Sequence, residues 1–214
     1  MIKNKIAFLI TIILNLAVAI SLALGSPFYV PSLKRSLRSL RKSSSIKKRT
    51  HSTRFFKALA YKESGLKYHK INKFGYLGKY QFGESALIGL GYYNKDGSKK
   101  NDWKGKWTGK FGIFSKHDFL NSALVQEIAV HELAMDNWKV AKSYKLHKSV
   151  GKKLHGIRIT KEGILAAMHL KGPLSVNKFI FQGINSTDAL GTGVQKYMHL
   201  FSDYEKLILR KYSI

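Results

Sequence analysis

The chain has 214 residues, of which 44% are hydrophobic and 12% aromatic, so a wholly disordered chain is excluded and one folded domain is expected. It contains no cysteine, which excludes disulfides and cysteine-ligated metal sites. Lysine and arginine total 38 against 12 acidic residues, and the resulting net charge of +26 favours polyanionic surroundings.

The N-terminus has the pattern of an export signal. Lys3 and Lys5 precede an uncharged segment, 6–24, and Ala23 and Gly25 supply small residues at the −3 and −1 positions for cleavage after Gly25. This predicts a signal peptide over 1–25. The apolar run is also just long enough to span a bilayer, so an uncleaved signal anchor is the alternative. In both cases we expect an exported protein in the periplasm or extracellular space, or anchored to the inner membrane.

A basic arm follows, over residues 26–54. It carries nine lysines and arginines, no acidic residue and many serines, which is typical of a flexible, solvated segment. One interpretation is a linker. The other is electrostatic adhesion to lipid headgroups or a wall polymer. Nucleic acid would suit the charge but not an exported compartment, so no nucleic-acid partner is expected.

Residues 55–214 contain all 12 acidic residues and are predicted to form the folded domain. Ser52 or Thr53 suits the cap of a first helix, which Gly65 would end. The best strand signal is Phe74–Phe82, where glycines alternate with aromatic residues. This segment predicts a small β or irregular element.

Helical periodicity dominates the rest of the domain. A long helix is predicted over 118–142, with apolar residues at helical spacing: Leu120, Leu124, Ile128, Met135 and Trp138. Thr160 suits the cap of a second helix that ends at Gly172, and Pro173 opens a third that ends at Gly183. A last helix is predicted from Asp188 or Val194 to Lys211. The predicted fold class is mainly α, or α+β, with a small irregular or β element and a substrate cleft.

Glu63 is the first residue that could perform chemistry. Its spacing from Phe56, Leu59 and Ala60 places it on the inward stripe of the first helix, at the C-terminal end. Partial burial and the negative end of the helix dipole both favour a protonated carboxyl, which is what glycosidic bond cleavage requires. The alternative is a solvent-directed side chain that pairs with Lys62 or Lys67.

The residues after Glu63 form a spaced motif. Glu63-Ser64-Gly65 is followed by Gly75-Tyr76-Leu77-Gly78-Lys79-Tyr80-Gln81-Phe82-Gly83. This pattern resembles the lysozyme-like lytic transglycosylases of the goose-type lysozyme superfamily, in which Glu-Ser ends a helix before a Gly-x-x-Gly-x-x-Gln turn. Gly78 and Gln81 lie 15 and 18 residues after Glu63, as in that family.

Two later segments extend the resemblance over most of 55–214. The helix end Ile164–Gly172 is similar to the Ala-Tyr-Asn-Ala-Gly segment of the family, with Met168-His169 in place of Tyr-Asn. Tyr197 resembles the tyrosine near the family's C-terminus. Asn72 stands where the family often has a sugar-binding serine, and the insertion 93–117 has no obvious counterpart.

The resemblance implies a mechanism with one carboxylic acid and no metal or cofactor. Glu63 would protonate the glycosidic oxygen between N-acetylmuramic acid and N-acetylglucosamine, and would then accept the C6 hydroxyl proton as a 1,6-anhydro ring closes. Such substrate-assisted schemes need no second carboxylate. The implied substrate-binding residues are Ser64, Asn72, Tyr76, Gly78, Tyr80, Gln81, His169 and Tyr197.

Further residues have side chains that could bind a sugar or take part in chemistry. The aromatic residues Tyr76, Tyr80, Tyr92, Tyr93, Trp103 and Trp107 could line a sugar cleft or form a local core. A hydrolase would need a water-holding carboxylate, for which Glu84, Asp96 and Asp102 are candidates, although Glu84 also suits the first turn of a helix. His131-Glu132 lacks the second histidine of a zinc site, so an ordinary helix is expected there.

We therefore expect a monomeric, exported enzyme whose partner is the glycan strand of peptidoglycan, with membrane contact through 6–24 and the basic arm as a further interaction. Three alternatives stay open. They are a muramidase or chitinase-like hydrolase, a non-catalytic glycan-binding or membrane-anchored envelope protein, and a cationic membrane-active protein that does not depend on Glu63.

Overall fold

The structure, a computed structural model, describes residues 46–95, 97–98 and 100–204, with side chains described from Thr53 onward. The chain divides into two units at Ser52, and the fold below is that of the second unit. The predicted signal or anchor, and the arm before residue 46, lie outside the described residues. None of the described helices combines the length and apolar character needed to cross a membrane.

The described residues are mainly helical, as predicted. The α-helices are α1 (Ile46–Ser64), α2 (Glu84–Gly89), α3 (Lys116–Asn121), α4 (Ala123–Ser143), α5 (Lys161–Gln182) and α6 (Val194–Ser202). Short 3-10 helices occupy Lys110–Gly112 and Leu146–Ser149. The strands are β1 (Tyr93–Asn94), β2 (Lys106–Trp107), β3 (Lys153–Leu154) and β4 (Ile157–Arg158), paired antiparallel as β1–β2 and β3–β4.

Helix α1 ends where the sequence predicts and begins earlier. Gly65 has a φ of 68°, and its amide donates to the Tyr61 carbonyl oxygen at 3.0 Å, which closes the helix. The predicted cap at Ser52 or Thr53 is wrong, because the chain is already helical at Ile46. The end of the predicted flexible arm, 46–54, is therefore helical. Each residue added to an existing helix contributes one hydrogen bond, and the good intrinsic helix propensity of lysine and arginine supports the extension, although the helix dipole disfavours positive charge in the first turn.

The predicted long helix over 118–142 is two helices. Ser122 leaves the helical conformation, with a ψ of 87°, and its hydroxyl accepts the Val125 amide as the cap of α4. The predicted inward face is also displaced. Leu124 and Met135 are 62% and 50% exposed, whereas Val125, Gln126, Ala129, Val130 and Ala141 are buried.

The helices near the C-terminus follow the prediction more closely. Thr160 accepts the Gly163 amide at 3.0 Å as the cap of α5, and Gly183 ends α5 in the left-handed region. Gly172 interrupts α5 with a φ of 74°, at the predicted boundary. The last helix begins at Val194, the later of the two predicted starts, and its predicted residues after 204 lie outside the described part.

The segment Phe74–Phe82, predicted to be a small β or irregular element, is irregular and contains only isolated bridges. Leu77 forms isolated bridges with Ile71 and Phe82, and the residues between them are turns. Gly75, Gly78 and Gln81 all have positive φ angles, which interrupt an extended strand. We call the segment 70–83 the glycine turn.

Two groups of buried side chains hold the unit together. The first joins α1, the glycine turn, the insertion and α4, with Leu59, Leu77, Tyr80, Phe82, Tyr92 and Phe119 among its members. The second joins α4, α5 and α6 through residues including Leu146, Ile164, Met168, Phe179 and Met198. The glycine turn is thus fixed against the C-terminal end of α1.

Candidate functional site

Glu63 and Tyr197 come together at the end of helix α1. Glu63 is partly buried in the last turn, where the inward spacing of Leu59 and Ala60 predicts it. The Tyr197 hydroxyl donates a hydrogen bond to Glu63 Oε1 from helix α6, 134 residues later in the chain. The carboxyl group is therefore held by a donor while part of the side chain stays open to solvent.

The Tyr197 side chain is held in position by packing, and its hydroxyl acts as a hydrogen-bond donor. Its ring is 2% exposed and packs at 5.0 Å from the ring of Phe201. Burial raises the pKa of Tyr197 well above its ordinary value, and the negative charges of Glu63 and Asp188 raise it further. The phenol therefore keeps its proton at any pH relevant to function and can always donate to Glu63.

Ser64 connects the end of α1 to the glycine turn. Its hydroxyl donates to the Lys79 carbonyl oxygen at 2.7 Å and accepts the Lys67 amide at 3.0 Å. The side chain is 4% exposed, so it offers little to a ligand. The structure therefore supports a positioning role for Ser64 instead of the predicted sugar contact.

Gly78 makes room for a side chain of the protein itself. A Cβ atom at Gly78 would lie 2.2 Å from Gln126 Oε1, and the residue has a φ of 76°. Gln126 is fully buried in α4, and its Oε1 accepts the Lys79 amide at 2.8 Å. Its Nε2 donates to the carbonyl oxygen of Phe119 at 2.9 Å. Because Gly78 has no side chain, the turn can pack closely against Gln126 of α4. This packing accounts for the glycine without the substrate contact that the resemblance implies for it.

Gln81 is a buried turn residue. It has a φ of 51° and is 6% exposed. Its Nε2 donates to the carbonyl oxygens of Gly78 at 2.8 Å and Lys70 at 3.3 Å. The buried Oε1 has no hydrogen-bond partner among the described residues. Both Nε2 hydrogen bonds therefore serve the turn, and in this arrangement they leave no free donor for the substrate-binding role that the resemblance implies for Gln81.

Asn72 and Tyr76 are two predicted binding residues that stay accessible in the glycine turn. Asn72 Oδ1 accepts the amides of Phe74 at 2.8 Å and Tyr76 at 3.2 Å, so the amide NH2 group is what this side chain can offer a sugar. Tyr76 is 38% exposed and presents an aromatic ring with a polar hydroxyl. Both side chains can be reached from solvent, and their substrate-binding role stays a prediction.

Tyr80 is buried and His169 is half-buried, and both contact the protein itself. Tyr80 is 1% exposed, and its hydroxyl donates to Glu127 Oε2 at 2.7 Å. His169 Nε2 lies 2.8 Å from the Tyr80 carbonyl oxygen, and its ring packs edge-on against Phe82. Both side chains are therefore used to hold the glycine turn between α4 and α5.

A cluster that the sequence did not reveal supports the turn from the side of α4. Lys79 Nζ lies 2.6 Å from Glu127 Oε1, and the hydroxyl of Tyr68 donates to the same oxygen at 2.8 Å. Burial acts to raise the pKa of Glu127, but hydrogen bonds from Lys79, Tyr80 and Tyr68 outweigh it and hold the pKa below its usual value. Glu127 follows Gln126 on α4, and no sequence motif surrounds it. Its partners can therefore be identified only from the folded structure.

This cluster predicts a pH-dependent stability. A carboxyl whose pKa is lowered by folding stabilises the folded state above its unfolded pKa, near 4.5 for Glu127, and that contribution is lost as the pH falls through the lower folded value. We expect Glu127→Gln to reduce the free energy of unfolding by about 1–2 kcal/mol at pH 7, a value discounted for partial exposure. Urea unfolding at pH 7 and pH 3 measures it. A deficit of equal size at both pH values would contradict the ion-pair account.

The insertion packs its aromatic side chains largely inward. Tyr92 and Tyr93 are buried, and the indole rings of Trp103 and Trp107 stack on each other with centroids 5.5 Å apart. Trp103 Nε1 donates to the Gly75 carbonyl oxygen at 2.7 Å. The local-core interpretation therefore holds for the two tyrosines, and the insertion braces the outer side of the glycine turn.

The carboxylates that could hold the attacking water of a hydrolase differ from Glu63 in their burial and hydrogen-bond partners. Glu84 is 4% exposed and lies in the first turn of α2, as one of its two interpretations predicts. Its Oε1 accepts a hydrogen bond from the Trp103 amide. Asp102 Oδ1 accepts the Lys104 amide at 3.3 Å. Asp96 lies outside the described residues. Asp188, which sequence reasoning passed over, is the other carboxylate whose charge reaches the Tyr197 hydroxyl.

No cluster that could hold a metal ion is found in the part of the chain that the structure describes. His131, at the start of the apparent zinc-protease pattern, packs its ring 4.1 Å from that of Phe56. Burial lowers the pKa of His131. This histidine is therefore part of an ordinary helix, as expected.

No family model, no curated protein and no solved structure matches this chain. The site geometry and the motif spacing around Glu63 are therefore the features of this chain that bear on its function.

Proposed function

We propose that this chain is an exported peptidoglycan-cleaving enzyme, a lytic transglycosylase with a lysozyme-like fold. The observation that carries the proposal is the hydrogen bond from Tyr197 to Glu63 at the end of α1. It joins the two residues that the resemblance singles out at opposite ends of the domain. The mainly helical unit and the turn after Glu63 also suit this assignment.

In the proposed reaction, the Glu63 carboxyl donates its proton to the glycosidic oxygen between N-acetylmuramic acid and N-acetylglucosamine. The bond from the muramic C1 to that oxygen breaks, and its electron pair goes to the leaving oxygen. The substrate's N-acetyl group supports the positive charge at C1. The Glu63 carboxylate then takes the C6 hydroxyl proton as O6 bonds to C1 and closes the 1,6-anhydro ring.

The protein supplies two further contributions to this scheme. Tyr197 orients the carboxyl group and stabilises the carboxylate that exists between the two proton transfers. Asn72 and Tyr76 provide an amide donor and an aromatic face on the open side of the turn. The net charge of +26 suits an anionic cell-wall substrate.

Mass spectrometry of the soluble products tests this proposal. Purified peptidoglycan is treated with protein that lacks the predicted signal, and we expect muropeptides with 1,6-anhydro ends. Reducing ends would indicate a hydrolase, and Asp188 would then be the first water-holding group to examine, because Glu84 is buried and occupied. Folded protein that releases nothing would overturn the enzyme proposal for this substrate.

Tyr197→Phe should lower kcat by roughly 10- to 100-fold with little change in KM, because a hydrogen bond to a charged group contributes about 1.5–3 kcal/mol. The phenylalanine ring keeps the packing on Phe201. Initial rates over a range of peptidoglycan concentrations measure the effect. Tyr144→Phe is the control and should keep the wild-type rate, because Tyr144 is a surface residue, 40% exposed, that is not part of the proposed site. An unchanged kcat in Tyr197→Phe would exclude the assigned role.

A further inference from the structure

One segment of the domain, residues 137–161, carries exposed positive charges and no negative charge. Between residues 137 and 161 the chain has eight basic residues and no acidic residue, and all eight are exposed. Lys139 pairs with Asp136, and Lys161 lies over the Trp138 ring. The other six, which we call the basic face, are Lys142, Lys145, Lys148, Lys152, Lys153 and Arg158. None of these six pairs with a carboxylate within the described part of the chain.

Two of these charges are placed directly opposite each other. Lys153 and Arg158 are register partners in the β3–β4 hairpin, and both side chains are exposed. Like charges at directly opposed positions destabilise a strand pair. Lys152 precedes this pair, and its carbonyl oxygen accepts the Ile159 amide at 2.8 Å. The hairpin thus concentrates three cationic side chains at a local cost in stability, and an anionic partner would offset that cost.

Exposed apolar side chains adjoin this hairpin. His155, in the hairpin turn, has Nε2 3.1 Å from the Ile180 carbonyl oxygen at the end of α5. The neighbouring Phe181 and Ile184 are 55% and 49% exposed. Val150, just before the hairpin, is 43% exposed. Apolar and cationic groups therefore share one end of the domain.

We propose that the basic face, together with Val150, Phe181 and Ile184, docks on an anionic phospholipid bilayer. Lysine near such a surface contributes about fivefold in affinity, while apolar side chains enter the boundary between headgroups and acyl chains. A soluble polyanion would satisfy the charges but not the three apolar residues. The docking is independent of glycan cleavage at Glu63. It would place the folded domain against the same membrane that the predicted signal or anchor meets.

A site-specific fluorescent label tests this orientation on the full chain. The protein has no cysteine, so Ile184→Cys and Leu124→Cys each offer one labelling position. Leu124 is a matched control because it is 62% exposed at the opposite end of α4, a 21-residue helix about 30 Å long. We expect lipid-borne spin labels to quench the label at residue 184, but not at 124, in phosphatidylglycerol vesicles, with no quenching in phosphatidylcholine vesicles.

Charge variants complete the test. A triple variant should abolish quenching at residue 184 when it changes Lys148, Lys152 and Lys153 to glutamine. The same change at Lys104, Lys106 and Lys116, which are exposed elsewhere, should preserve it. Equal losses in the two triple variants would overturn the proposal in favour of net charge. Quenching at both label positions, or at neither, would overturn the assigned surface. Salt-sensitive binding to soluble polyphosphate without quenching by lipid would identify a polyanion partner and overturn the bilayer assignment.

Discussion

Glu63→Gln should reduce peptidoglycan cleavage by about 1000-fold while leaving the thermal unfolding temperature close to that of the wild type. The amide keeps the shape of the side chain and can still accept from Tyr197, but it cannot donate and recover a proton in the reaction. Positioned proton transfer contributes typically 10²–10⁴-fold, which sets the size of the loss. Release of soluble muropeptides over time, with circular dichroism to verify folding, measures both quantities.

Asp136→Asn is the matched control for that experiment. It removes one negative charge from an exposed surface pair with Lys139 and should preserve the rate. Activity in Glu63→Gln within tenfold of the wild type would remove Glu63 from the mechanism and exclude the proposed transglycosylase. Lysis of cells that depends on salt but not on Glu63 would instead favour the cationic membrane-active alternative.

Gly78→Ala should destabilise the domain by roughly 3–5 kcal/mol. The new methyl group would meet the Gln126 side chain at 2.2 Å, and an alanine at a φ of 76° is itself strained. Displacing Gln126 would also break its hydrogen bonds to the Lys79 amide and the Phe119 carbonyl, both in a buried setting. Urea unfolding followed by tryptophan fluorescence measures the change.

Gly65→Ala separates backbone strain from the clash. Gly65 has a similar φ of 68°, but nothing lies within 4 Å of the position that its Cβ would occupy. This variant should lose only about 1 kcal/mol. Equal losses in the two glycine variants would show that Gln126 adds nothing and would contradict the account of the turn.

The sequence predicted the elements whose signals are local. The inward spacing of Phe56, Leu59 and Ala60 placed Glu63 at the end of a buried stripe, and Thr160 and Gly183 marked the limits of α5. These features depend on helical periodicity and on capping chemistry, which a short stretch of sequence contains in full. The resemblance, and not any local pattern, implied a substrate-binding role for Tyr197, whose hydroxyl the structure places against Glu63.

The features that sequence reasoning missed depend on residues far apart in the chain. Tyr80 and Gln81 looked accessible within a glycine-rich segment, yet Glu127 binds the Tyr80 hydroxyl from α4. Gln126 is buried on that helix while the more hydrophobic Leu124 is exposed. A hydrophobic pattern cannot reveal a buried amide whose partners are backbone groups of a distant turn.

The bond between Glu63 and Tyr197 has a consequence for the order in which the molecule matures. Its two residues are 134 positions apart, so a growing chain contains the carboxyl group long before it contains the phenol. Contacts of such separation carry a large loop-closure entropy and form after local helices. A nascent chain that still lacks helix α6 therefore cannot form this hydrogen bond, whatever the state of helix α1. The proposed site is completed only when the last described helix has packed against the end of α1.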